Sequence, residues 1–296
     1  MYNDILVEKA NILIEALPYI QRLAGKTVVI KYGGNAMVDE QLTNKILQDV
    51  TLLKYVGVNP ILVHGGGPDI NAALKKMDVK SQFHNGLRIT DGETMEVVQM
   101  VLAGKLNKNI VSALGRLGGK AIGLCGKDAD LIRVKKKPPL PDGVDLGHVG
   151  DIVSVNTKLL NALCQDEYIP VISSIGTDEN GQSYNINADT AAAAVATALK
   201  AEKLIFLTDI DGVRADPEDP TSLYPILTVE RARALIDEGV ITGGMIPKVN
   251  SCVDAIEKGV RRVHILNGTI PHPIILEIFT DRGIGTMFEN PVKKEG

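Results

Sequence analysis

Two hydrophobic strands that run straight into glycines constrain this chain more than any other feature. They are Val28-Val29-Ile30-Lys31-Tyr32-Gly33-Gly34-Asn35 and Ile61-Leu62-Val63-His64-Gly65-Gly66-Gly67-Pro68. Turns of this kind expose backbone N–H groups at the carboxyl ends of parallel strands, where open α/β sheets hold phosphates and other anionic ligands. The first is not a P-loop, because Lys31 precedes its glycines and belongs to the strand end, whereas a P-loop lysine follows them. A different phosphate-handling architecture is implied.

Further strand-like runs at 120–125, 169–173, 203–208 and 262–266 alternate with helical patterns near 40–56, 68–77, 93–104, 107–117, 188–200, 228–238 and 247–258. This rhythm predicts a parallel sheet covered by helices, in two series that form two lobes on one sheet. The Pro- and Gly-rich stretch 138–150 reads as an irregular excursion between the lobes, and Lys135-Lys136-Lys137 as a solvated hairpin tip or flap. Residues 3–22 form an amphipathic helix ahead of the first strand, either packed on its own core or exchanged as an arm with another subunit.

Composition excludes several classes of function. A net charge of -4 leaves no basic face able to track a nucleic-acid backbone. The three cysteines, Cys125, Cys164 and Cys252, lack the spacing of a zinc site or a disulfide framework, and no metal site is expected. With no secretory-type start and no apolar run long enough to span a membrane, the expectation is a soluble, cytoplasmic protein.

Four more segments carry candidate chemistry. Arg88 in Asn85-Gly86-Leu87-Arg88-Ile89-Thr90 either grips a carboxylate with two parallel hydrogen bonds or makes a surface salt bridge. Asn185, Asn187 and Asp189 stand at the mouth of a small-residue helix, where they either cap it or face a cleft. Leu207-Thr208-Asp209-Ile210-Asp211-Gly212-Val213 closes another core strand with acidic and turn residues, and Lys248 opens a helix just after Gly243-Gly244. His64, with no partner beside it in the sequence, is read as structural.

Taken in order, Lys31 to Asn35, His64 to Pro68, Asn85 to Thr90, Asn185 to Asp189 and Gly243 to Lys248 resemble the amino acid kinase family over about residues 20–290. The resemblance implies a three-layer αβα sandwich around a mainly parallel open sheet, preceded by an N-terminal helix. It divides the chain into an oligomerisation helix at 1–22, a lobe at 23–180 for acyl-amino acid binding and dimerisation, and a lobe at 181–296 for ATP and an effector.

The activity implied is phosphorylation of the side-chain carboxylate of N-acetyl-L-glutamate by ATP with Mg2+, the metal held mainly by the nucleotide phosphates. Lys31, Lys248 and Asp189 would be catalytic; Gly66, Gly67, Arg88 and Asn185 would bind the acceptor; Gly33, Gly34 and Gly65 would bind phosphate. Asp209, Ile210, Asp211, Gly212, Val213, Arg214, Val240, Ile241 and Thr242 match the family's nucleotide segments. The N-terminal helix further resembles that of arginine-inhibited hexameric members, with Tyr19, His264, Glu277 and Gly283 as effector residues and L-arginine as the inhibitor. For some members the partners include a PII-type signalling protein. Sister kinases acting on aspartate, glutamate, carbamate or UMP are the nearest rivals, and an inactive regulatory protein of the same fold is a more distant one.

Overall fold

The computed structural model describes residues 2–33, 39–281 and 283–290. In chain order the strands are β1 Thr27–Tyr32, β2 Asn59–His64, β3 Gln82–His84, β4 Leu87–Ile89, β5 Ala121–Leu124, β6 Ile132–Lys136, β7 Gly150–Val155, β8 Ile169–Ser173, β9 Ile175–Thr177, β10 Ser183–Asn185, β11 Lys203–Thr208, β12 Ile226–Thr228, β13 Arg262–Asn267 and β14 Thr286–Glu289. The helices are α1 Tyr2–Leu23, α2 Glu40–Tyr55, α3 Gly67–Lys76, α4 Gly92–Gln99, α5 Asn107–Arg116, α6 Thr157–Gln165, α7 Ala188–Ala198, α8 Val229–Asp237, α9 Met245–Glu257 and α10 Pro273–Ile278.

One eight-stranded sheet, in the order β12-β14-β13-β11-β1-β2-β8-β5, organises the molecule. Its six strands from β13 to β5 are mutually parallel, and β14 runs antiparallel to β13. From β1 the chain first adds β2, then β5 and, between them, β8 on one side, and later returns to add β11 on β1's other side. That reversal makes β1 the switch point of an open α/β sheet, where ligands lie outside the carboxyl ends of the strands. All six expected core strands are present.

Strand alternation sends Val29 to one face of the sheet and Ile30 and Tyr32 to the other, into two separate apolar clusters. Lys31 therefore shares the face of Val29, which α7 covers. The alanines of α7 lie buried there, because side chains this small let the helix backbone approach the strands.

Three features differ from the sequence reading. The helical stretches 93–104 and 107–117 form one continuous helix, since Met100–Leu106 is a π-helical segment joining α4 to α5 without a break. A second sheet, β10-β9-β6-β7, stands beside the main one. The stretch 138–150 is accordingly not a passage between lobes: it links β6 to β7 within this second sheet, and Gly147 bridges to Thr90. Lys136 and Lys137, at the start of that loop, pair with Asp145 and Asp151 across it.

α1 packs on the core only through its last two turns, where Leu23 is fully buried beside the partly buried Ala16, Tyr19 and Ile20. Earlier in the helix Leu6, Val7, Ile12, Leu13 and Ile14 are exposed, Leu13 to 73%. Among the described residues no helix is long and apolar enough to cross a membrane.

Candidate active site

The glycine turns after β1 and β2 open onto a cavity of about 330 Å3, lined by Lys31, Gly33, Gly65, Gly66, Gly67, Arg88, Asn185 and apolar neighbours. Gly34 and Asn35 lie outside the described residues. At two of the glycines an added side chain would crowd its surroundings, severely at Gly66 and mildly at Gly33. A Cβ on Gly66 would sit 2.2 Å from Leu106 Cδ1, and one on Gly33 would press against the Lys31 ammonium at 3.2 Å. Gly67 is open to the cavity, and Pro68 starts α3 in the first turn, where its missing N–H costs nothing.

Lys31 Nζ lies 3.0 Å from Asp189 Oδ1 across the β1–α7 contact. That oxygen is buried and has no hydrogen-bond partner among the described residues, so the ion pair is its compensation for burial. Asn187, not Asp189, caps α7, its Oδ1 accepting from the N–H groups of Asp189 and Thr190 at 2.9 and 3.1 Å. Capping by Asn187 leaves the Asp189 carboxylate free to face the lysine.

Lys248 sits one turn before Cys252 on the same side of α9, a helix that packs against α7. Burial pushes the Cys252 thiol up; the Lys248 charge opposes the shift and that of Asp189 adds to it. Lys248 forms no ion pair among the described residues.

Arg88 is buried, not a surface salt bridge. Its guanidinium donates to Ser81 Oγ, to Asn71 Oδ1 at 2.7 Å and, at 3.5 Å, to Gly67 O, and it stacks over the Phe83 ring at 4.5 Å. Every one of these partners is neutral. A buried cation without a counter-ion is costly, and here it faces a cavity. Asn185 donates to Thr90 Oγ1 at 3.3 Å on the same wall.

A second cleft of about 310 Å3 opens at the carboxyl ends of β11 and β13, on the same edge of the sheet. Asp209, Ile210, Asp211, Gly212, Val213, Arg214, Val240, Ile241 and Thr242 all line it, joined by Asn267 and Met245. Asp211 accepts from Asn267 Nδ2 at 2.7 Å and pairs with Arg214. Gly212 adopts φ +152°, and a Cβ there would lie 2.4 Å from Thr286 Oγ1, which instead accepts from Val213 N–H.

Of the four remaining sequence candidates, His264 lies in the amino-terminal half of β13, Glu277 and Gly283 follow it, and Tyr19 lies in α1. His264 Nδ1 is 2.7 Å from Glu277 Oε1, and Glu277 Oε2 accepts from the N–H groups of Ile284 and Gly285. Gly283, at φ +62°, leaves room for that carboxylate, while Tyr19 donates to Asp281. Lys203, unremarked in the sequence, completes the group with Nζ 2.9 Å from His264 Nε2. An ammonium only donates, so Nε2 accepts and the neutral imidazole passes its Nδ1–H to Glu277. Burial pushes Lys203 down to about 8.

His64 also has a partner: Asn107 Nδ2 lies 3.2 Å from its Nε2. Burial pushes His64 down to about 4, and burial together with Lys203 does the same to His264. The unfolded chain takes up these protons near pH 6.5, the folded one only near 4, so stability rises with pH between those values. It is expected to fall by up to about 3 kcal/mol per histidine as pH drops from about 6.5 to 4. Urea midpoints at pH 7 and 4.5 measure this; a pH dependence unchanged by His64→Asn would clear His64 of any part in it.

Residues 26–267 match the amino acid kinase family, and the chain belongs to that family. It is 60% identical to the acetylglutamate kinase of Caldicellulosiruptor saccharolyticus over 291 residues, 97% of this chain and 99% of that one. It is 55% identical to the acetylglutamate kinase of Methanocaldococcus jannaschii, over 95% of this chain and 96% of that one. Among solved structures, the N-acetylglutamate synthase of Neisseria gonorrhoeae, complexed with coenzyme A and N-acetyl-glutamate, superposes with a TM-score of 0.83 at 27% identity, covering 96% of this chain and 64% of that one. The carbamate kinase of Giardia lamblia bound to AMP-PNP shares the fold at a TM-score of 0.66 and 17% identity, over 90% of this chain and 99% of that one.

Proposed function

We propose that this chain transfers the γ-phosphoryl group of MgATP to the side-chain carboxylate of N-acetyl-L-glutamate, giving an acyl phosphate and ADP on the way to L-arginine. The observation that carries this reading is the buried Arg88, unpaired with any carboxylate among the described residues, in one cavity with Lys31 and the glycine turns. Such a cation suits an acceptor that is itself a carboxylate. The names of the relatives at 55–60% identity support the choice of acceptor.

The lobe at 23–180 holds the acceptor on Arg88 and the turn at Gly66 and Gly67, with Asn185 reaching the same cavity from the start of the lobe at 181–296, which takes the nucleotide in the cleft at 209–214 and 240–242. Because the acceptor is already an anion, no general base is required, and catalysis reduces to alignment and charge stabilisation. Lys31 and Lys248 neutralise charge spreading over the transferring group, with the N–H groups of Gly33, Gly34 and Gly65 as further donors. Asp189, 3.0 Å away, holds the Lys31 ammonium in place. Gly33 and Gly66, where a Cβ would intrude, are a cradle shaped for phosphate. Mg2+ would be carried in on the nucleotide's own phosphates, where it would offset the β- and γ-phosphoryl charge.

Regulation by L-arginine belongs to the same proposal. Lys203, His264 and Glu277 form one hydrogen-bonded chain with Gly283 against the carboxylate, Tyr19 of α1 donates to nearby Asp281, and the exposed apolar residues of that helix suit packing against another copy in a hexamer.

Trapping the acyl phosphate as a hydroxamate tests both parts. Product is expected with N-acetylglutamate and ATP, with far less from glutamate or aspartate and less again when arginine is added. Removing residues 1–22 is expected to leave dimers with weakened arginine inhibition. Product from free glutamate or aspartate alone would reject the acceptor, and a truncated protein that stayed hexameric and fully sensitive would reject the role of the helix.

A further inference from the structure

The segment between the acceptor cavity and the sheet contains a side chain that the proposed chemistry does not use. Asn107 is buried at the point where the π-helical segment gives way to α5. Its amide reaches in among the carboxyl ends of β2, β8 and β5. Nδ2 contacts Val171 O at 2.9 Å, His64 Nε2 at 3.2 Å and Leu124 O at 3.4 Å, and Oδ1 accepts from Lys108 Nζ at 3.2 Å. Gly123 makes room for it, since a Cβ there would fall 1.9 Å from Asn107 Oδ1.

These contacts settle the protonation of the imidazole. A nitrogen facing two carbonyl oxygens must be the NH2 end of the amide, so it donates to His64 Nε2, which carries no proton. The ring proton then sits on Nδ1, 3.0 Å from Gly65 O, and is donated to that carbonyl. In a trans peptide C=O and N–H point opposite ways, so drawing Gly65 O toward the imidazole turns the Gly66 N–H away from it. Gly66 lines the acceptor cavity, and no described hydrogen bond uses its N–H.

We propose that Asn107 is a positioning residue: acting through His64, it fixes the Gly65–Gly66 peptide so that the Gly66 N–H is aimed at the anion held in the acceptor cavity. Leu102 and Leu106 of the π segment close on Gly66 from the far side, so one helix clamps the turn at two points. The kinetic consequence rests on the reading of that cavity as the acceptor site; the orientation of the peptide does not.

Three variants separate the parts. Asn107→Leu removes the amide, His64→Gln keeps an acceptor for Asn107 but loses the donor to Gly65, and His64→Asn keeps a donor where Nδ1–H stood. In the hydroxamate assay Asn107→Leu and His64→Gln are expected to lower kcat ten- to hundredfold, with the KM for ATP within twofold. His64→Asn is expected to recover at least a third of wild-type turnover. The Gly66 amide resonance of selectively glycine-labelled protein reads the same peptide without turnover; it should move in Asn107→Leu and His64→Gln and stay near its wild-type position in His64→Asn. Unchanged kcat per folded molecule in the first two, or equal damage in both histidine variants, would overturn the proposal. If the wild type made no hydroxamate from N-acetylglutamate, the acceptor reading would fail, and the amide resonance alone would decide whether the relay exists.

Discussion

Lys31→Ala is expected to lower kcat by roughly two to three orders of magnitude, about 2.7–4 kcal/mol of barrier by analogy with the loss of one preorganised donor to a developing anion, while nucleotide affinity changes less than about threefold. The asymmetry follows from where the lysine stands. It projects from the end of β1 into the acceptor cavity, not into the cleft that all nine nucleotide-segment residues line. Its charge is therefore felt most strongly by the group in transit between the two. Alanine also strands the Asp189 carboxylate, whose buried oxygen has no hydrogen-bond partner and relies on the ammonium 3.0 Å away. Steady-state turnover at saturation in both substrates, beside calorimetric titration of ATP, measures the effect. A kcat within twofold of wild type would remove Lys31 from the chemistry.

Arg88→Ala is expected to act on the other kinetic constant. Truncating a buried, hydrogen-bonded charge pair costs about 2–5 kcal/mol, so the KM for the acceptor should rise about 30-fold or more, with the KM for ATP little changed. Arg88→Lys should recover only part of the loss. The guanidinium serves Ser81, Asn71 and Gly67 while keeping N–H groups for a ligand, and its Cζ sits 4.5 Å over the Phe83 ring. A single ammonium offers three donors and no plane. Acceptor KM for the two variants is the measurement, and a lysine variant as good as wild type would mean that the site needs only a charge.

The sequence made the main sheet legible because its six parallel strands are apolar runs, most of them ending at or near glycine, asparagine or aspartate, and the helices between them keep their period. Arg88 and Lys31 stood out for a related reason: each is a lone cation in an apolar or glycine-rich setting. The second sheet was hidden, since β9 and β10 are three residues long, too short to display a period, and β6 ends in charged residues. Asn107 and Lys203 were hidden differently. Their partners His64 and His264 lie 43 and 61 residues away, and neither residue type in its own segment departs from what a helix start or a strand start commonly carries. Pairings across such distances are made by the fold and leave no local mark.

The π segment has a bearing on how this chain tolerates change in length. A π turn holds more residues than an α turn, so α4 and α5 are out of phase with each other by what amounts to an inserted residue. Deleting one residue between Met100 and Leu106 would let the two helices merge into a regular α-helix, a local gain in backbone geometry. It would also swing everything after the deletion by roughly 100° about the helix axis. Asn107 would leave the gap that Gly123 keeps for it, and the leucines would leave Gly66. Substitutions along this helix can be absorbed one at a time; its count of residues cannot drift without turning the floor of the cavity away from the ligand.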